Sequence, residues 1–318
     1  MKQAIIFLIF LGINQLFCQK IDHNVSYRTM HTDAYFRFSY DNDFFTSSDY
    51  NYTQGYSFEL VNNGLKKNPI NHILISTQNS HTQYGLVIEH NGYTPKHLGV
   101  DSILINDRPY ASAIMIKSFK IAIDTIHQSR LNSTFSLGVI GPAAFGKEMQ
   151  VGIHNLTQNI IPQGWHNQIK HDLVINYQLN YERKLIGLKN NFILSGVGGI
   201  NIGSLNNSAN IGTTIILGIF KSPYQINSSN KNVEIYIYAQ PMVNYYVYDA
   251  TLQGGLFNDK SPHTLPNSRI ENVVFQFNGG VVFQTKKLFI EYSRVNTTKR
   301  FDTAISSKWG GIKFGVKF

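Results

Sequence analysis

Three small groups of residues in this chain have the types and spacing to do chemistry. Asn42 and Asp43 stand side by side, Thr53 follows in the next patterned segment, and Gln150 and His154 lie four apart. Histidine is the side chain best suited to take a proton near neutral pH once a partner fixes its tautomer, so His154 is the candidate general base. Asn42, Asp43 and Thr53 could form the polar cluster facing it. The same three residue types also build hydrogen-bonded loop caps, and pattern alone leaves both readings open. Lys96 follows a Tyr-Thr-Pro run in a proline-bounded loop. It could contact an anionic headgroup or simply be solvated.

The elements that must position these groups read as strands. Residues 36–60 run FRFSYDNDFFTSSDYNYTQGYSFEL: Phe36, Phe38 and Tyr40 alternate with Arg37, Ser39 and Asp41, and Tyr56, Phe58 and Leu60 alternate with Ser57 and Glu59. Period two means a hairpin with one apolar and one polar face. Parity puts Asp43 and Thr53 on the polar, lumen-facing side and sends Asn42 to the other side unless a bulge rotates it. Residues 141–164 break the alternation and predict a short helix over 144–158. Phe145, Met149, Ile153 and Leu156 fall near one face and Gln150 with His154 on a neighbouring one. A helix folded over the rim would set that second face against the first hairpin.

Similar alternation recurs about twelve times, near 34–42, 51–62, 82–90, 110–123, 131–141, 172–185, 191–203, 209–219, 232–248, 272–284, 287–295 and 309–318. An even number of such segments predicts a closed antiparallel transmembrane β-barrel in a single domain over 20–318. Closing the sheet pairs every backbone group, which is what lets short, half-polar strands live in lipid. The last strand alternates Ile312, Phe314, Val316 and Phe318 with Lys313, Gly315 and Lys317 and ends on an aromatic. That resembles the terminal strand by which outer-membrane proteins are delivered for insertion. Residues 1–19, with Lys2 and an apolar run too short to span a bilayer, read as a secretory signal peptide that carries off the single cysteine, Cys18. Placing the N-terminus in the periplasm puts the long connections at 43–51, 91–109, 142–171, 249–271 and 296–308 outside the cell. The connections at 63–81 and 220–231 are then too long for periplasmic turns. The formal charge of +9 is scattered, which suits an anionic membrane surface such as lipopolysaccharide rather than nucleic acid.

Six motifs taken in order resemble the outer-membrane lipid A 3′-O-deacylase family, the LpxR-type enzymes. They are Asn42-Asp43, Tyr52-Thr53-Gln54-Gly55, Tyr93-Thr94-Pro95, Asp107-Arg108-Pro109-Tyr110, Gly141-Pro142-Ala143 with Gln150 and His154, and Gly164-Trp165-His166-Asn167-Gln168. The resemblance covers roughly 34–185; beyond that the likeness is of barrel strands only, and Ser112 stands where the family commonly has glycine. It implies a monomeric twelve-stranded barrel in the bacterial outer membrane, with a site between the wall and a helix from an extracellular loop. It also implies calcium-dependent hydrolysis of the ester that holds the 3′-acyloxyacyl chain on lipid A. Carried over by position, Asn42, Asp43, Thr53 and His154 become site residues, and Lys96 is taken as the family's site lysine. Calcium prefers oxygen ligands, so Asp43 and Asn42 are the metal candidates.

Two other readings stand beside this one. A passive porin or structural barrel would carry rings of charge around an open lumen. An outer-membrane phospholipase is suggested by His127-Gln128-Ser129, although topology puts that tripeptide in a periplasmic turn, opposite every other candidate.

Overall fold

Because side chains alternate across a strand, a sheet of such segments has one apolar and one polar face, and both are satisfied when it closes on itself with the polar face inward. The computed structural model, which describes residues 24–46, 51–188, 191–226 and 232–318, is such a closure. Its strands are β1 (Tyr35–Asn42), β2 (Asn51–Val61), β3 (His81–Thr94), β4 (Ala111–Asp124), β5 (Ser129–Ile140), β6 (Asp172–Leu188), β7 (Phe192–Gly203), β8 (Asn206–Ile219), β9 (Val233–Asp249), β10 (Val273–Thr285), β11 (Leu288–Thr297) and β12 (Ser307–Lys317). All neighbours pair antiparallel in sequence order, and β12 closes on β1 from Tyr35↔Lys317 to Asn42↔Gly310. Two helices, α1 (Gly146–Thr157) and α2 (Ala250–Gln253), lie in connections at the loop end of the barrel. The expected leader lies outside the described residues. No helix among the described residues is long and apolar enough to cross a membrane.

Alternation holds on both faces. Phe36, Phe58, Ile88, Ile116, Ile312 and Phe314 are exposed on the outer wall, whereas Arg37, Ser57, Glu59 and Glu291 are buried inside. β3 runs to Thr94, past the expected end at 90, because Asn91, Gly92 and Tyr93 still pair with β4.

The half of the lumen nearer the short turns is filled. Residues before β1 enter it: Tyr27 stacks on Tyr238 with ring centroids 3.8 Å apart, and Tyr236 donates to the Tyr27 carbonyl at 2.8 Å. The Arg28 guanidinium grips Glu291 through Nε at 2.8 Å and Nη2 at 2.7 Å. Arg37, itself paired with Glu59 at 2.8 Å, donates to the Arg28 carbonyl at 2.8 Å. The buried charges are thus paired and further hydrogen-bonded, the condition under which they can be kept out of water. A porin needs an open path, and this plug stands across it.

The two connections too long for periplasmic turns are both folded onto the barrel, one outside and one inside. Residues 63–75 form 3-10 turns at Asn63–Lys67 and Pro69–His72 laid against the outer wall. There Lys120 donates to the carbonyls of Asn71 and Leu74 at 2.6 and 3.0 Å, and Ser133 donates to that of Ile75 at 2.7 Å. Lipid-side polar residues are covered by folded chain instead of meeting hydrocarbon. The other connection tucks Phe220 and Tyr224 into the barrel base, where Tyr224 donates to Ser195 at 2.6 Å; residues 227–231 of it lie outside the described residues.

Removing one partner of the buried Arg28–Glu291 pair leaves an unpaired charge inside, a loss of about 3–5 kcal/mol. Arg28→Ala should therefore lower the thermal unfolding midpoint in detergent, read by circular dichroism. Wild-type protein in a planar bilayer should show no steady conductance.

Candidate active site

The first hairpin and α1 do meet, but on the outer wall and not in the lumen. β1 pairs without interruption through Asn42↔Gln54 and Asn42↔Gly310, so there is no bulge at Asn42 and its side chain points outward, as alternation alone requires. Its amide donates to the outward Tyr40 hydroxyl at 3.0 Å and its carbonyl oxygen accepts from the Phe44 N–H at 2.7 Å, capping the 3-10 turn Asp43–Thr46. The irregularity sits on β2 instead. The β2–β3 register shifts between Tyr52 and Gln54, at Thr53. That shift carries Tyr52 into the lumen, with its ring 4.5 Å from Trp309 and 5.5 Å from Tyr93. The expectation of a lumen-facing Thr53 is corrected for the same reason: its hydroxyl accepts from Gln150 Nε2 of α1 at 3.3 Å. Asp43, expected on the lumen side by parity, opens the turn where strand alternation has ended; it is buried, one step beyond the Asn42–Gln54 pair.

α1 is short because both ends are set by left-handed residues, Phe145 at φ 58° and Gln158 at φ 55°. The buried stripe of α1 is Gly146, Gln150 and His154, one residue per turn. Met149, Val151 and Ile153 are half-buried beside that stripe, and the exposed side carries Lys147, Glu148, Asn155 and Leu156, with Phe145 exposed just before the helix. The stripe that packs on the wall is thus polar, unlike that of the usual surface helix of a water-soluble protein. Gly146 makes the close approach possible, since a Cβ there would lie 2.5 Å from Ser112 Cβ and 2.7 Å from the Trp165 ring. Ser112 faces outward at that point and donates to the Gly141 carbonyl at 3.3 Å.

Gln150 is the cross-link. While Nε2 donates to Thr53, its Oε1 accepts from Trp165 Nε1 at 2.7 Å, and the Trp165 ring packs 4.9 Å from Tyr110. One turn on, about 5.4 Å along the axis, the buried His154 places Nδ1 2.5 Å from the Ile160 carbonyl. A carbonyl can only accept, so Nδ1 carries a proton, and in the neutral ring the lone pair falls on Nε2. That is the tautomer a general base needs.

His90 went unread in the sequence. It is buried on the outward side of β3, stacked on Tyr56 at 5.0 Å, and its Nε2 donates to the Ala144 carbonyl at 2.8 Å, which ties the start of the α1 segment to the wall. The available signal was its parity, since a polar side chain at a lipid-facing position asks to be covered. Lys96 is exposed and held through its backbone, with its N–H donating to Asp107 at 2.7 Å; the structure does not bring its ammonium to Thr53 or His154. Asp107 also binds its neighbour's N–H, while the Arg108 guanidinium turns inward over the Tyr93 ring at 4.5 Å and donates to Thr251 at 3.1 Å. That motif is architecture. Among the described residues no group of three or more His, Cys, Asp or Glu could hold a metal. The His127 ring is bonded to Asp124 in an exposed turn, at the opposite end of the barrel from α1.

A family model described as "Outer membrane protein LpxR" matches residues 5–318. No curated protein matches the chain. Among solved structures, LpxR from Salmonella typhimurium superimposes with a TM-score of 0.71 at 17% identity, over 89% of this chain and 100% of that one. The β domain of the Bordetella autotransporter BrkA gives 0.47 at 8% identity, over 90% of this chain and 99% of its own.

Substituting Gly146 by Val forces a side chain into Ser112 and Trp165. Hydrogen–deuterium exchange should then rise across 146–157 while the strand amides keep their protection.

Proposed function

We propose that this chain, which belongs to the LpxR family of outer-membrane proteins, is a lipid A deacylase that hydrolyses the ester holding the 3′-acyloxyacyl chain. The carrying observation is the place of the polar cluster. Thr53, Gln150 and His154 gather between α1 and the outer wall, outside a lumen blocked by its own N-terminal segment. A soluble substrate would be served from the lumen. A lipid approaches laterally, along the wall, with its acyl chains in the hydrocarbon and its sugar at the surface.

In this reading His154 Nε2 takes a proton from the water that attacks the ester carbonyl, while the Ile160 carbonyl holds Nδ1–H and stabilises the imidazolium that forms. The proton is returned to the departing sugar oxygen. Thr53, whose oxygen accepts from Gln150, orients the water through its own O–H. Exposed Phe145 and Leu156 offer an apolar surface to the acyl chains.

Calcium fits the donor chemistry present. The buried Asp43 carboxylate, the Asn42 amide oxygen with its second lone pair, and carbonyls of the Asp43–Thr46 turn form an all-oxygen set suited to a hard cation. When bound, it would supply positive charge to the oxyanion. With one carboxylate in that set, binding should be weak and chelation quick.

His154→Ala should lower deacylation by about 10²–10⁴-fold, measured by mass spectrometry of lipid A after incubation with purified protein. Full activity in the variant would remove His154 as the base, and no acyloxyacyl mass loss with wild-type protein would sink the assignment. Chelation with EGTA should abolish activity and added Ca²⁺ restore it; hydrolysis indifferent to both would exclude the metal.

A further inference from the structure

We propose that Arg294 is a phosphate-binding residue for the lipid substrate, set in the same row of the barrel wall as Asn42. The inference rests on the deacylase reading. On β11 the flanking Ser293 and Val295 are buried and Arg294 is exposed, so its guanidinium leaves the outer face. The register runs Arg294↔Gly310 and Gly310↔Asn42. Two interstrand spacings separate the rows, about 10 Å.

The guanidinium is braced on one side only. Nε donates to the Tyr292 hydroxyl at 2.9 Å and Nη2 reaches the Phe45 carbonyl at 3.4 Å. Phe45 belongs to the turn that begins at Asp43, and it lies so close over β12 that a Cβ on Gly310 would be 2.6 Å from its own. Thr46 of that turn also donates to the Lys308 carbonyl at 3.0 Å. Arg294 and the first hairpin are therefore held as one unit. Among the described residues no carboxylate pairs with Arg294.

A cation on the lipid-facing wall is costly in mid-bilayer and tolerated only near an interface. Arg294 thus lies at headgroup depth, at the height of the site. A guanidinium fork there matches a phosphate, which it can bind through two parallel hydrogen bonds. In lipid A a phosphate monoester sits on the ring carbon next to the one bearing the 3′ ester. A phosphate held by Arg294 therefore swings the neighbouring ester toward Asn42 and Thr53. Lys308, outward and exposed one position further toward the rim opposite Asn296, adds positive potential.

The test uses full-length protein in detergent micelles with two substrates, lipid A and the same lipid A dephosphorylated. Wild-type protein should prefer the phosphorylated form in kcat/KM, through KM. Arg294→Gln should shrink that preference about tenfold, the scale of one lost charge-assisted contact, and Arg294→Lys should keep part of it. An unchanged preference in Arg294→Gln overturns the proposal. Should wild-type protein cleave neither lipid, the deacylase reading fails separately, and binding of the two lipids to the same variants decides on Arg294: phosphate-dependent binding lost in Arg294→Gln supports it, and phosphate-independent binding overturns it. Phosphatidylglycerol competing as strongly as lipid A would assign the site to bulk anionic headgroups and overturn the substrate role.

Discussion

Within the hydrocarbon layer the outer wall of a barrel has no water to lean on, so a polar atom that faces outward there needs a protein partner. This constraint organises the whole loop end. Thr53, His90 and Ser112 are polar on a face where Phe58 and Ile116 set the norm, and the segment carrying α1 is folded down onto them, while Asn42 is satisfied by Tyr40 and its own turn. The polar stripe of α1 follows directly, since Gln150 on it donates to Thr53 of the wall. Residues 63–75 answer the same need at the other end, covering Lys120 and Ser133.

The lumen obeys the complementary rule. Charges are allowed inside because they come in pairs with additional hydrogen bonds: Arg28 with Glu291, Arg37 with Glu59, Lys117 with Glu89. The first two fasten the leading segment across the half of the lumen nearer the short turns and make that half a core instead of a channel.

Much of this was legible in the sequence, and for a physical reason. Period-two alternation is imposed on every strand by the two solvents it separates, so twelve segments could be counted and the polar face of a short helix matched to the first hairpin. Less legible was which side of the wall the site takes. Parity alone directs Asn42 outward, and the uninterrupted pairing there shows that a polar side chain at a strand end need not face the lumen. The actual register shift falls at Thr53, and nothing in the local sequence marks it. His90 shows the same limit from the other side: its position was lipid-facing by count, yet its partner, the Ala144 carbonyl, lies in a distant connection. The long connections resisted reading because a 3-10 turn on the outside of a barrel leaves no periodic trace.

Ile160 joins two environments in one residue. Its carbonyl accepts from the His154 ring, while its side chain is 64% exposed. Whatever packs against that side chain is one peptide unit from the imidazole that the same residue positions.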